Sequence, residues 1–195
     1  MTATTEAPLD EPAPEEEEES TRPSLMHEAV DWVMVLGGAL VIAFLIQRFL
    51  FQPFYIPSGS MEPTLAINDR VLVNKLSYRL HEVNRGDIVV FERSTDEPGA
   101  IRDLIKRVVA VGGDTVESKG DILYVNDQPV KEPFRKSASL GGAVTRMTIA
   151  PHQVFVMGDN RTSSGDSRVF GPIPEDRIVG RAFVKFWPLG DLGLL

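Results

Sequence analysis

From Trp32 to Ile46 the chain runs through fifteen residues without a charge. Extended from Val30 to Phe51 the run covers 22 residues, roughly 33 Å of helix at 1.5 Å per residue, enough to cross a bilayer. Arg48 lies near its far end, where a long side chain can reach the interface, and Trp32 suits the opposite one. A cleavable leader fits badly, because the preceding flank is acidic and no small-x-small site follows before Pro53. The expectation is one uncleaved anchor over residues 29–52, a disordered acidic tail over 1–28 and a folded domain over 53–195. Only Arg22 and His27 precede the span and Arg48 follows it, so charge bias leaves its orientation open.

The tail accounts for the acidity. Residues 1–20 hold eight acidic groups and no basic one; removing those from the chain's 28 leaves 20, matched by 20 Lys and Arg. A neutral body offers no basic surface for nucleic acid. Cysteine is absent and only His27, His81 and His152 are present, without an HExxH pattern. Neither a disulfide framework nor a metal site is expected, and no cofactor is implied.

Beyond Pro53 the pattern turns to short strands. Residues 70–74 alternate, 87–91 follow the turn Asn84-Arg85-Gly86, and 103–111 form a longer β-rich run closed by Gly112-Gly113-Asp114. Residues 114–117 and 122–125 flank Lys119-Gly120-Asp121, a hairpin signal; 153–157 and 181–186 read as further strands. Residues 131–147 are polar, contain Gly and Ser, and read as a loop excursion. The body is therefore expected to be mainly antiparallel β, without a long helix.

Three stretches could carry chemistry. In Ile56-Pro57-Ser58-Gly59-Ser60-Met61-Glu62-Pro63-Thr64-Leu65, two prolines and a glycine fix a bend, and Ser60 is expected exposed there, where a nucleophile belongs. An ordinary loop has the same composition. In the run around Lys106, strand alternation puts Leu104, Lys106, Val108 and Ala110 on one face. An amine in an apolar row loses its charge more easily and can serve as a general base, although a snorkelling lysine is the commoner outcome. The stretch from Gly158 to Arg168 crowds Gly, Asx and Ser into a tight loop, where Asp159, Asn160 and Asp166 can simply satisfy turn backbone.

The order of these motifs closely resembles bacterial type I signal peptidase. Ser-Gly-Ser-Met-Glu-Pro-Thr-Leu follows an apolar span; Arg85-Gly86-Asp87-Ile88-Val89-Val90-Phe91 comes next; Lys106-Arg107-Val108-Val109 precedes Gly-Gly-Asp; and Gly-Asp-Asn-Arg-x-x-Ser-x-Asp-Ser-Arg closes the series. The resemblance covers about Val33 to Pro188. It implies a coiled antiparallel β-sheet catalytic domain with a small subdomain at about 113–151, reduced against larger members, and one N-terminal transmembrane helix.

It further implies a Ser/Lys dyad, with Ser60 as nucleophile and Lys106 as base. Ser58 matches a serine whose hydroxyl joins the Ser60 N–H in the oxyanion hole. Ser164 matches a residue that orients the lysine amine, and Asp166 with Arg168 a supporting ion pair. Phe54, Ile56, Met61, Leu65, Leu104 and Ile105 match positions lining shallow pockets for small substrate side chains; Leu104 replaces an aromatic often found there. The implied partners are signal-peptide-bearing preproteins, the lipid bilayer and the secretion machinery. The implied place is the outer face of a bacterial plasma membrane. Two readings compete: a self-cleaving Ser/Lys repressor relative, which should carry a helix-turn-helix in place of an anchor, and a membrane-tethered β module that binds without chemistry. A Ser-His-Asp hydrolase would need His81 or His152, both in turn-like contexts suited to a solvated surface role.

Overall fold

The computed structural model describes residues 25–93 and 103–195. Of the tail expected to be disordered over 1–28, residues 1–24 lie outside them, whereas 25–28 are helical, since they already belong to the first turn of the apolar helix. The described part of the first compact unit, which ends at Val41, is helical. Helix α1 spans Leu25–Phe49, and Glu28–Ile46 is long and apolar enough to cross a membrane, with none of it buried. Apolar side chains project all round it, as in a segment whose solvent is lipid. It ends sooner than the apolar run suggested: Phe51 already belongs to a strand. Pro53 supplies the reason, since it lacks the N–H that helix continuation requires.

The second unit, Ile42–Leu195, holds the sheets. Its strands are β1 (Phe51–Tyr55), β2 (Arg70–Asn74), β3 (Ile88–Glu92), β4 (Asp103–Val111), β5 (Thr115–Lys119), β6 (Ile122–Val125), β7 (Gln128–Pro129), β8 (Met147–Thr148), β9 (Gln153–Met157), β10 (Ile173–Pro174), β11 (Ile178–Trp187) and β12 (Gly193–Leu194). Two single-turn helices, α2 (Ser77–Leu80) and α3 (Ser167–Phe170), interrupt them. The larger sheet runs β1-β2-β11-β3-β4-β9-β10 with β12 beside β11, and the smaller runs β7-β6-β5-β8; every pairing is antiparallel.

The hairpin expected at Gly120-Asp121 forms, with Lys119 opposite Ile122. A second follows at once: Asn126 and Asp127 sit at φ 53° and 62° between Val125 and Gln128, the left-handed pair that a two-residue turn requires. The 131–147 excursion is irregular, as expected, until Met147 enters β8; its Leu140 and Val144 are nonetheless buried.

Three apolar clusters fill the unit. Val109, Ala110, Phe155 and Met157 of the large sheet pack on Val116, Leu123 and Val125 of the small one. Ile56, Met61, Leu65, Val71, Val73, Ile88, Val90 and Ala182 form a second cluster. Val89, Phe91, Val108, Val154 and Val156 form a third. The expected row of Leu104, Lys106, Val108 and Ala110 breaks before its end. A bulge between Val108 and Ala110 shifts the alternation, so Leu104 and Val108 join the third cluster and Ala110 the first. Pairing of β4 with β9 begins only at Arg107, so among the described residues Asp103–Lys106 pairs with β3 alone.

Candidate active site

The bend at Ile56–Leu65 is held from both ends. Ile56 N–H donates to the Asp69 carbonyl at 3.0 Å, and Asn68 N–H to the Ile56 carbonyl at 2.9 Å. Between them Gly59–Met61 makes a turn of 3-10 helix entered from Ser58 in extended backbone. Ser60 is not exposed, contrary to expectation: it retains 8% of its accessible surface. Residues distant in sequence cover it. Its carbonyl accepts from Asn160 N–H at 3.1 Å, and the Asn160 amide donates to the Gly59 carbonyl at 2.9 Å.

Lys106, 3% exposed, donates from Nζ to Ser60 Oγ at 2.7 Å and to the Ile105 carbonyl at 3.0 Å. Burial pushes the amine down from its ordinary value to about 8, against the pull of Asp166 and Asp159, which favour the charged form. The snorkelling alternative fails because the amine ends on a hydroxyl inside the protein. A buried amine of lowered basicity on a serine oxygen is the arrangement that activates a hydroxyl for attack.

The remaining candidates divide. Ser58 is exposed, with its Oγ 3.5 Å from Ser60 Oγ. Ser164 does not hold the amine, whose partners are Ser60 Oγ and the Ile105 carbonyl; its buried hydroxyl instead favours the ionised Asp166 carboxyl. Asp166 and Arg168 do pair, through contacts of 2.8 and 2.7 Å, and Asp166 also accepts from Gly158 N–H at 3.0 Å. Burial works against ionising Asp166, but the Arg168 fork and the Gly158 N–H outweigh it and hold the carboxyl below its ordinary value. Phe54, Ile56, Met61, Leu65 and Ile105 gather in one cluster, whereas Leu104 packs with Val89 and Phe91 instead. Met61 and Leu65 have no accessible surface and Ile56 keeps 2%, so these three belong to the core rather than to an open wall. His81 and His152 are both exposed, and the His152 ring lies 3.9 Å from Glu175.

Sequence reasoning assigned Asp159 and Asn160 only to turn backbone and did not single out Arg107. Asp159, fully buried, takes both arms of the Arg107 fork at 2.9 and 2.7 Å and accepts from Thr64 Oγ1 at 2.5 Å. One carboxylate thereby ties β4 beside the amine to the serine bend and to the 158–168 loop. Arg161 is equally hidden, its Nε donating to the Gly158 carbonyl at 2.9 Å and its fork meeting Glu132. The only sequence signal for the first tie was position. Arg107 follows Lys106 and so points to the opposite strand face, and Asp159 follows the glycine that closes on Ser60.

The chain resembles known proteins over most of its length. The profile of the family described as "Signal peptidase, peptidase S26" matches residues 29–187. A probable signal peptidase I-2 of a Synechocystis species is 41% identical over 160 residues, covering 80% of this chain and 72% of that protein. A signal peptidase I of Leptolyngbya laminosa is 35% identical over 185 residues, covering 90% of this chain and 88% of the relative. A signal peptidase IB of Staphylococcus aureus is 35% identical over 181 residues, covering 84% and 92%.

Proposed function

Because this chain belongs to the signal peptidases of peptidase family S26, we propose that it is a membrane-bound serine endopeptidase that removes signal peptides from exported preproteins with a Ser60/Lys106 dyad. The observation that carries the reading is the 2.7 Å contact between a buried amine and a buried hydroxyl. With the amine lowered to about 8, roughly one molecule in ten holds it neutral at about pH 7. That neutral form accepts the Ser60 proton as Oγ attacks the scissile carbonyl. The protonated amine then returns a proton to the leaving nitrogen, and a water repeats the sequence to release the acyl group. The Ser60 N–H and the Ser58 hydroxyl stabilise the developing oxyanion, the hydroxyl after turning from its present neighbour.

The substrate reading rests on the edge of β4 at Asp103–Ile105, which β9 leaves unpaired and which among the described residues offers backbone groups to an extended peptide next to Lys106. Phe54 and Ile105, partly exposed beside the buried Ile56, Met61 and Leu65, are assigned to the shallow pockets for small side chains. Helix α1 serves as the anchor. Ser60 follows its last residue, Phe49, by eleven positions, about 40 Å of chain at most, so the nucleophile stays near the lipid where a signal peptide lies. The catalytic domain is assigned to the extracytoplasmic face, beside the secretion machinery that delivers its substrates.

The test is cleavage of a purified preprotein bearing an Ala-x-Ala site by the full-length chain in detergent. Wild type and His152→Ala release mature protein, whereas Ser60→Ala and Lys106→Met release none. Normal cleavage by Lys106→Met would remove the dyad. Protease accessibility on intact cells reads the orientation.

A further inference from the structure

After β7 the chain leaves the small sheet and lies as a strap, residues 132–136, against the serine bend, the 158–168 loop and Arg107 of β4. At one end Glu132 accepts from the Arg161 fork, with Nη1 at 3.1 Å, and Arg161 in turn holds the Gly158 carbonyl. At the other end Lys136 pairs with Glu62, two residues past Ser60, and its backbone N–H reaches the Asp159 carbonyl at 3.3 Å. Between these ties the Phe134 ring lies against the Arg107 guanidinium, its centre 4.0 Å from Cζ. The Arg107 side chain is 12% exposed, so little water competes for that face of the cation. A guanidinium held flat on an aromatic ring keeps its in-plane N–H groups free. Arg107 aims them at both oxygens of Asp159.

We propose that Phe134 is a positioning residue for the Lys106–Ser60 pair: by fixing the plane of Arg107 it holds Asp159 and Thr64, and so sets the distance between β4 and the nucleophile bend. The inference rests on the dyad reading above and extends it to a residue outside the matched motifs. It has an electrostatic consequence. The groups around the amine are the Ser60 hydroxyl on the bend, and Asp159 and Asp166 on the 158–168 loop. Asp159 is offset by Arg107 on the amine's own strand, Asp166 by Arg168, and Glu62 on the bend by Lys136. If Arg107 is released, Asp159 is less neutralised, the charged amine is favoured, and Lys106 titrates higher.

Phe134→Leu and Phe134→Trp in the full-length chain in detergent micelles test this by steady-state cleavage and by carbon-13 NMR titration of Lys106, which needs no turnover. For Phe134→Leu, kcat falls about tenfold with KM within about twofold. Both the acid limb of the rate profile and the NMR titration move up by about half a pH unit. Phe134→Trp, which restores a ring under the cation, recovers both. If Phe134→Leu fails to fold, Lys136→Ala loosens the same strap at a half-exposed pair and gives a smaller loss in the same sense. A folded Phe134→Leu with wild-type kcat and an unmoved titration overturns the proposal, as does equal impairment by Leu and Trp. If wild type cleaves no preprotein but the titration shift is present, the positioning stands and the assigned reaction falls.

Discussion

Gly158→Ala puts the site geometry under the most direct strain. An added Cβ would lie 2.3 Å from Ser164 Oγ and 2.4 Å from the Ser60 carbonyl oxygen. The Ser164 hydroxyl can turn away, although its Cβ, 2.7 Å from the added atom, moves only with its backbone. The carbonyl cannot, because Asn160 N–H holds it at 3.1 Å and it belongs to the nucleophile itself. Regaining ordinary contact moves Ser60 by about 1 Å, and a 2.7 Å contact lengthened that far is no longer a hydrogen bond. Misplacement of this size costs about a hundredfold in kcat/KM, or about 2.7 kcal/mol at ~1.36 kcal/mol per decade. Overpacking also lowers stability, by about 1–3 kcal/mol. Gly180→Ala separates the two effects. Its Cβ would meet the Asn74 carbonyl at the same 2.4 Å, but on β11 against β2, away from the dyad contacts. In a preprotein cleavage assay normalised to folded protein, Gly158→Ala loses rate and Gly180→Ala does not, while both melt early. Wild-type turnover by folded Gly158→Ala would refute the assignment of this close approach to catalytic geometry.

Other outcomes follow from the same contacts. Cleavage should rise about tenfold between about pH 7 and pH 9 and then level, because the Lys106 amine, lowered to about 8, must be neutral to accept a proton. The sign for stability agrees: between about 8 and the ordinary 10.5 the unfolded chain still binds the proton that the folded amine has lost. This group's contribution to stability therefore rises with pH across that window, readable as denaturant midpoints. Asp166→Asn leaves Arg168 without its buried partner and should cost about 3 kcal/mol by chemical denaturation. Arg107→Lys keeps the charge but loses the second arm on Asp159, and should lower kcat more than it raises KM.

Much of the frame was legible beforehand because it depends on short-range rules. An uncharged run gave α1, alternation gave β2 to β6 and β9, and a glycine-centred turn gave the first hairpin. The sequence missed β1, since Pro53 and an apolar flank disguised it as the end of the span. It also missed the Asn126-Asp127 hairpin, although that pair is a recognised turn signal.

By itself, the order of residues determined which groups the chain could bring to a site and their affiliation with a family. The serine in its proline-flanked bend and the lysine in its β run were both visible there. Only the tertiary structure decided that the amine ends on that hydroxyl rather than in water. It also decided that Ser60 is buried, that Ser164 does not hold the amine, and that Arg107, Asp159 and the 132–136 strap lock the bend to the sheet. The physical reason is separation along the chain. Alternation and turn preferences act over a few residues, whereas Lys106 meets Ser60 across 46 positions and Arg107 meets Asp159 across 52. Those contacts, and the burial that lowers the amine, exist only once the sheet has closed around them.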